Sequence, residues 1–173
     1  GITLDGSNLT GTNGIVIFGR SNVTIQYCHI QNFLNAGTYF RRSASRSQPV
    51  VYSTGKKVIN CTINNCADRN TGRVGASIVA TGYTGMLIQY DTLHQTSRPS
   101  GHNGNIFSAT GDGFYSGLKW LNNITYKNPN EGTVLSIHME MWDSQGGNEI
   151  AYSEFHGGGE CIDWGGTHTT KGV

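Results

Sequence analysis

Apolar residues along the chain come in short runs separated by Gly, Asn and Ser, and within each run they alternate with polar ones. The runs are IVIF from Ile15, VVYS from Val50, SIVA from Ser77, NIFSA from Asn105, LSIHMEM from Leu135 and CIDW from Cys161. Between them lie longer stretches: SNVTIQYCHIQNF from Ser21, KKVINCTINNC from Lys56, TGMLIQYDTLHQT from Thr84, GLKWLNNITYKN from Gly117 and GNEIAYSEFHGG from Gly147. A period of two within short runs predicts strands, and no ten-residue segment carries helical periodicity. The longer stretches are also copies of one another. Their late apolar residues, Ile30, Ile63, Leu93, Ile124 and Phe155, are separated by 33, 30, 31 and 31 residues. A unit of two or three strands that cannot bury its apolar face alone, but can once the next unit stacks on it, predicts a solenoid. Helical repeat arrays are excluded on the same ground.

The copies SNVTIQYCHIQN and KKVINCTINNC resemble the turns of right-handed parallel β-helix proteins, the pectate-lyase-like superfamily, at the level of architecture. The resemblance implies an all-β solenoid, and the repeat gives it about five to six coils of roughly 31 residues, with neither terminus offering an amphipathic cap. The whole chain, 1–173, reads as a single domain or a segment of a longer one. Val23, Ile25, Cys28 and Ile30 are expected inside, with a bend between Ile25 and Cys28 where the alternation changes phase. Cys28, Cys61, Asp91, Asn122 and Ser153 are then expected at one level of successive coils. The resemblance implies that small polar residues stack there as a ladder.

Composition narrows the partners. The chain has 25 glycines, three prolines and 13% charged residues, which describes a turn-rich globular protein. Its net charge of +1 conceals a segregation: residues 1–130 hold eleven of the twelve Lys and Arg but four of the eleven acids, leaving about +7 there and about −6 beyond. Nucleic acid is a poor partner for such a balance, and no apolar run is long enough to span a membrane. The four cysteines read as structural thiols or one disulfide well ahead of a metal site. Secretion or display at the cell surface is expected from the resemblance, with any export signal already removed.

Two groups of residues invite chemistry. The loop stretches LNAGTYFRRSASRSQP, ADRNTGRVG, TSRPSGHNGN and YKNPNEG hold Arg41, Arg42, Arg46, Arg69, Arg73, Arg98, His102 and Lys127. Stacked about 5 Å apart per coil, they would line a groove for an acidic polysaccharide, whose carboxylates or sulfates suit guanidinium forks. In SIHMEMW, alternation places Ile137, Met139 and Met141 inside and His138, Glu140 and Trp142 outside, with Asp163 of the next coil above Glu140. Glu140 and Asp163 are the expected acid and base of a glycoside hydrolase. In a lyase reading His138, Arg98 or His102 is the base, and Glu140, Glu160 and Asp163 would hold Ca²⁺, the ion that the resemblance implies. Trp142 offers a sugar platform, with Trp164 or Phe107 as companions. The reading from another class is a non-catalytic solenoid of an adhesin, tail fibre or filament, whose oppositely charged ends favour head-to-tail association.

Overall fold

The computed structural model describes residues 1–7, 11–41, 53–66, 75–95, 105–109, 115–127, 137–142 and 144–165, and the regular structure among them is entirely β. The strands build three sheets that each coil visits in turn. One coil contributes Cys28–Gln31, Ala36–Arg41 and Ser53–Ile59, and the next contributes Thr62–Asn64, Ala76–Ala80 and Tyr83–Gln89. The first and second sheets hold six strands each and the third holds five. Each strand pairs in parallel with its equivalent one coil away. The chain is therefore a parallel β-helix solenoid, as the repeat implies.

Register turns sequence copies into vertical columns. In the third sheet Ile25, Val58, Ile88, Trp120 and Ile150 stand over one another. In the first sheet the column is Leu4, Ile30, Ile63, Leu93, Thr125 and Phe155. Ile30, Ile63, Leu93, Val58 and Ile88 are fully buried, each such aliphatic side chain contributing roughly 1.5–3 kcal/mol.

Corners are turned by residues in the left-handed backbone region. Near the start of the third-sheet strands these are Asn22, Gly55, Gly85, Gly117 and Gly147, with φ from +56° to +70°. Between the third and first sheets they are Tyr27, Asn60, Tyr90, Asn122 and Tyr152. This second set fixes the phase of the first-sheet strand after each corner. Because Asn122 is the corner residue of its coil, Asn123 and not Asn122 takes the ladder position, and Thr125 and not Ile124 faces the core. Ile124 pairs with Thr92 and Glu154 on the outer side.

The ladder itself runs through the interior. The Cys61 N–H donates to Asp91 Oδ1 at 2.6 Å, the Asp91 N–H to Asn123 Oδ1 at 2.9 Å, and the Asn123 N–H to Ser153 Oγ at 3.1 Å. Asn123 Nδ2 also donates to the Ile88 carbonyl at 2.9 Å. Side chains from one coil thus satisfy backbone donors that the corner removes from strand pairing. All four cysteines are free, with Cys28, Cys61 and Cys66 buried and Cys161 exposed.

Two expected loops are strands instead. Ala36–Arg41, within the stretch expected to be the first insertion, is the second-sheet strand of its coil. Of VVYS, Ser53 opens a third-sheet strand and 50–52 lie outside the described residues. Lys127 ends a first-sheet strand, is buried, and donates from Nζ to the Ile137 carbonyl at 3.1 Å.

Candidate functional site

The acid-bearing strand is Ile137–Trp142, and its neighbour on the next coil is Glu160–Gly165. Their register sets Met139 against Ile162, Glu140 against Asp163 and Met141 against Trp164. Glu140 and Asp163 therefore share one face of two adjacent coils, as the alternation implies. The column continues through Ser108, Val79, Tyr39 and Val16.

The surroundings of those acids differ from the expected open groove. Glu140 is 2% exposed, and its Oε2 accepts a hydrogen bond from Asn105 Nδ2 at 2.6 Å. Ser108 and Asn105 beside it are fully buried. Asp163 is half-buried and accepts from Trp142 Nε1 at 3.3 Å. Trp142 is thus tied edge-on to an acid, with the added Cβ of a residue at Gly165 falling 3.7 Å from its ring.

His138 does not stand beside Glu140 at all. Its ring lies inside the coil, where Nε2 donates to the Gly157 carbonyl at 2.9 Å and Nδ1 faces the Thr125 hydroxyl at 2.8 Å. Phe155 packs edge-on at 5.4 Å between centroids. The reason is a corner: at this level of the second sheet two consecutive residues face the core, as fully buried Ile106 and Phe107 do one coil earlier. Strict alternation fails where the strand bends. Burial holds the His138 pKa below its ordinary value, with Lys127 and His156 adding to the effect against the bond to Gly157. Phe107, a candidate platform in the sequence, is a core residue packed on Trp120 at 5.6 Å.

The proposed calcium ligands lie on the same two strands. Glu160 stands opposite Ile137, three residues along the strand from Asp163. The carboxylate oxygens of Glu140 and Asp163 already take side-chain donors. Among the described residues no group of three or more His, Cys, Asp or Glu side chains gathers to hold a metal ion. Of the basic groove, Arg41 is exposed on its strand with its guanidinium 5.7 Å from the Phe18 ring. Arg42, Arg46, Arg69, Arg73, Arg98 and His102 lie outside the described residues.

The surface carries a feature that alternation alone does not reveal. Tyr27, Tyr90 and Tyr152 sit at the corner between the third and first sheets and are 61%, 54% and 84% exposed. Beside them, on the outer face of the first sheet, Tyr126 stacks on His156 at 4.9 Å, and His156 Nε2 meets Glu154 Oε2 at 2.8 Å. The signal in the sequence is a tyrosine directly before the ladder residue in QYC, QYD and AYS.

No protein-family model and no curated protein matches the chain. Among solved structures it is similar to the Streptococcus pneumoniae surface protein and adhesin PfbA, at 12% identity and a TM-score of 0.46, over 84% of this chain and 49% of that one. The chain thus spans about half the length of that adhesin. It is also similar to the plasmid-mediated fluoroquinolone resistance protein QnrB1, at 9% identity and a TM-score of 0.22, over 94% of this chain and 91% of that one.

Proposed function

We propose that the chain is a non-catalytic solenoid that displays binding residues on its outer faces, in the manner of an adhesin or fibre segment. The observation that carries this reading is the placement of His138. A ring fully buried and engaged at both nitrogens cannot reach a substrate proton, which argues against His138 as the base of the lyase reading. Glu140, buried against Asn105, acts as an anchor between coils rather than as an acid facing water.

A second reading keeps catalysis. The in-register pair of Glu140 and Asp163 with Trp142 beside it favours a carboxylate pair acting on a glycan held against the second sheet. One experiment separates the two. The purified chain is incubated with alginate, pectin and sulfated galactans, and unsaturated and reducing ends are followed. The display reading expects none above the blank. Release of product that disappears in both Glu140→Gln and Asp163→Asn would replace it with the second.

A further inference from the structure

The corner between the third and first sheets repeats with a period of two coils, although the fold demands a period of one. Tyr27, Asn60, Tyr90, Asn122 and Tyr152 all have φ between +53° and +59°. Their N–H groups donate one coil onward, Tyr27 to the Ile59 carbonyl, Asn60 to Gln89, Tyr90 to Leu121 and Asn122 to Ala151, at 3.1 to 3.2 Å. Asparagine tolerates the left-handed region, whereas a bulky aromatic residue there is an outlier. Asn60 and Asn122 show what the corner requires. Tyrosine at the other three positions works against the backbone, and with more than half of each residue exposed packing does not compensate. A strained residue kept without structural return points to function.

The geometry of the row defines what it fits. Alternate coils are two strand spacings apart, so the three tyrosines recur every ~9.5 Å along the solenoid axis. Next to them run two outward columns of the first sheet. One is Thr3, His29, Thr62, Thr92, Ile124 and Glu154; the other is Asp5, Gln31, Asn64, His94, Tyr126 and His156. They offer hydroxyls, amides and imidazoles, together with the carboxylates of Asp5 and Glu154. None of these first-sheet positions is Lys or Arg, and on the third-sheet side the outward column holds Lys57 and Lys119, the latter 3.7 Å from Glu149.

We propose that this corner binds a single extended, uncharged, β-linked glycan chain lying along the solenoid axis. Tyr27, Tyr90 and Tyr152 are platforms under every second sugar, and the amides of Asn60 and Asn122 serve the sugars between. An extended β-1,4-linked chain presents the same C–H face every second residue, which is the period of the row, and aromatic rings stack on such faces. An α-linked chain coils and does not. This ligand class rests on the display reading above, which leaves the outer surface as the working part of the molecule.

The test is isothermal titration of the purified chain with cellohexaose, cellobiose, maltohexaose and an oligogalacturonate of six units. Binding of cellohexaose is expected, with cellobiose far weaker because it reaches one platform, and the other two unbound. Tyr90→Asn is the informative variant, since asparagine suits the corner. It should melt no lower than the parent and bind cellohexaose about tenfold more weakly. Tyr27→Asn and Tyr152→Asn should each weaken the hexasaccharide in the same sense. Unchanged affinity in Tyr90→Asn, equal binding of maltohexaose, absence of cellohexaose binding, or self-association lost in Tyr90→Asn without glycan binding would each overturn the proposal. Cleavage of bound cellohexaose would instead refute the non-catalytic reading and leave the platform row standing.

Discussion

Asp91 accepts the backbone N–H of Cys61 from one coil away, at 2.6 Å, with its carboxyl enclosed in the interior of the solenoid. Its second oxygen, Oδ2, has no hydrogen-bond partner among the described residues. Burial pushes this carboxyl up to about 7, against the bonds from the Cys61 and Gln89 backbone that favour the charged form. The folded state therefore holds a proton that the unfolded chain releases near 3.8. Stability from this group is full below that value and is lost as pH rises through about 7. Asp91→Asn keeps an oxygen for the Cys61 N–H and removes the charge. In urea melts the variant should exceed the parent by on the order of 1–3 kcal/mol at pH 8 and match it at pH 4. An equal difference at both values would remove the buried charge as the cause.

Lys56 poses the opposite case. It is fully buried, its Nζ has no hydrogen-bond partner among the described residues, and it lies 5.5 Å from the centroid of the Phe40 ring. Met86 and Leu118 fill the same level of the next two coils. Burial lowers the ammonium to about 8 from 10.5. The unfolded chain binds more protons between those values, so stability rises with pH across that window and is lowest below it. Lys56→Met should stabilise the protein by roughly 1–3 kcal/mol at pH 7, and the advantage should shrink as pH approaches 10.5. A loss of stability at pH 7 would show that the lysine has a partner in solution.

How much of this is legible in the chain depends on which rule each residue obeys. Alternation puts Val23, Ile25, Cys28 and Ile30 inside; the last three are buried and Val23 is half-buried, because a flat strand sends every second side chain the same way. The bend between Ile25 and Cys28 is also legible, and Tyr27 makes it with φ of +54°. The slip at Asn122 is not. Nothing in LNNIT says which asparagine turns the corner, and the choice shifts Ile124 and Thr125 by one place. His138 departs from expectation for a related reason: alternation assumes no corner, whereas two neighbouring residues turn inward there. The pairing of Glu140 with Asp163 is legible because both sit in undistorted runs whose apolar partners, Met139 and Ile162, fix the phase. Their burial is not legible, since it depends on what surrounds a face and not on the strand itself.

Stacked glycines mark places where the backbone leaves no choice. A Cβ on Gly37 would lie 2.5 Å from Ile63 Cγ2 and 2.8 Å from the Ser77 carbonyl oxygen. One on Gly85 would touch nothing within 4 Å, but φ there is +70°. The two sites separate crowding from backbone strain. Gly85→Ala should cost about 1 kcal/mol, and Gly85→Asn less. Gly37→Ala should cost more, about 2–3 kcal/mol, because the neighbours are a packed methyl and a backbone carbonyl. Thermal melts of the three variants give the order, and Gly85→Ala falling below Gly37→Ala would reverse the assignment.

The cysteines provide a check on the interior that needs no mutation. Burial pushes the Cys66 thiol up to about 12 and the Cys61 thiol up to about 11, so neither forms the thiolate that reacts at neutral pH. Cys28 is buried, while Cys161 is exposed. At pH 7.5 a small disulfide reagent should titrate one thiol rapidly in the folded protein and four after denaturation. Rapid reaction of Cys61 or Cys66 without denaturant would mean that the coils open.

His138 should make the protein acid-sensitive, but Asp91 masks this in the parent. The folded His138 sits below its ordinary 6.5, so its contribution is present above that value and is lost as pH falls through the lower folded value. Over the same range protonation of Asp91 adds stability, and the two slopes oppose each other. Asp91→Asn removes the opposing slope, so as pH falls below 6.5 this variant should lose stability relative to the parent. His138→Gln added to it should abolish the remaining slope. It should also cost about 1–2 kcal/mol at pH 7.5, where the bonds to Thr125 and the Gly157 carbonyl are given up. A slope that survives in the double variant would assign the acid sensitivity to another group and free His138 from its role as an interior strut.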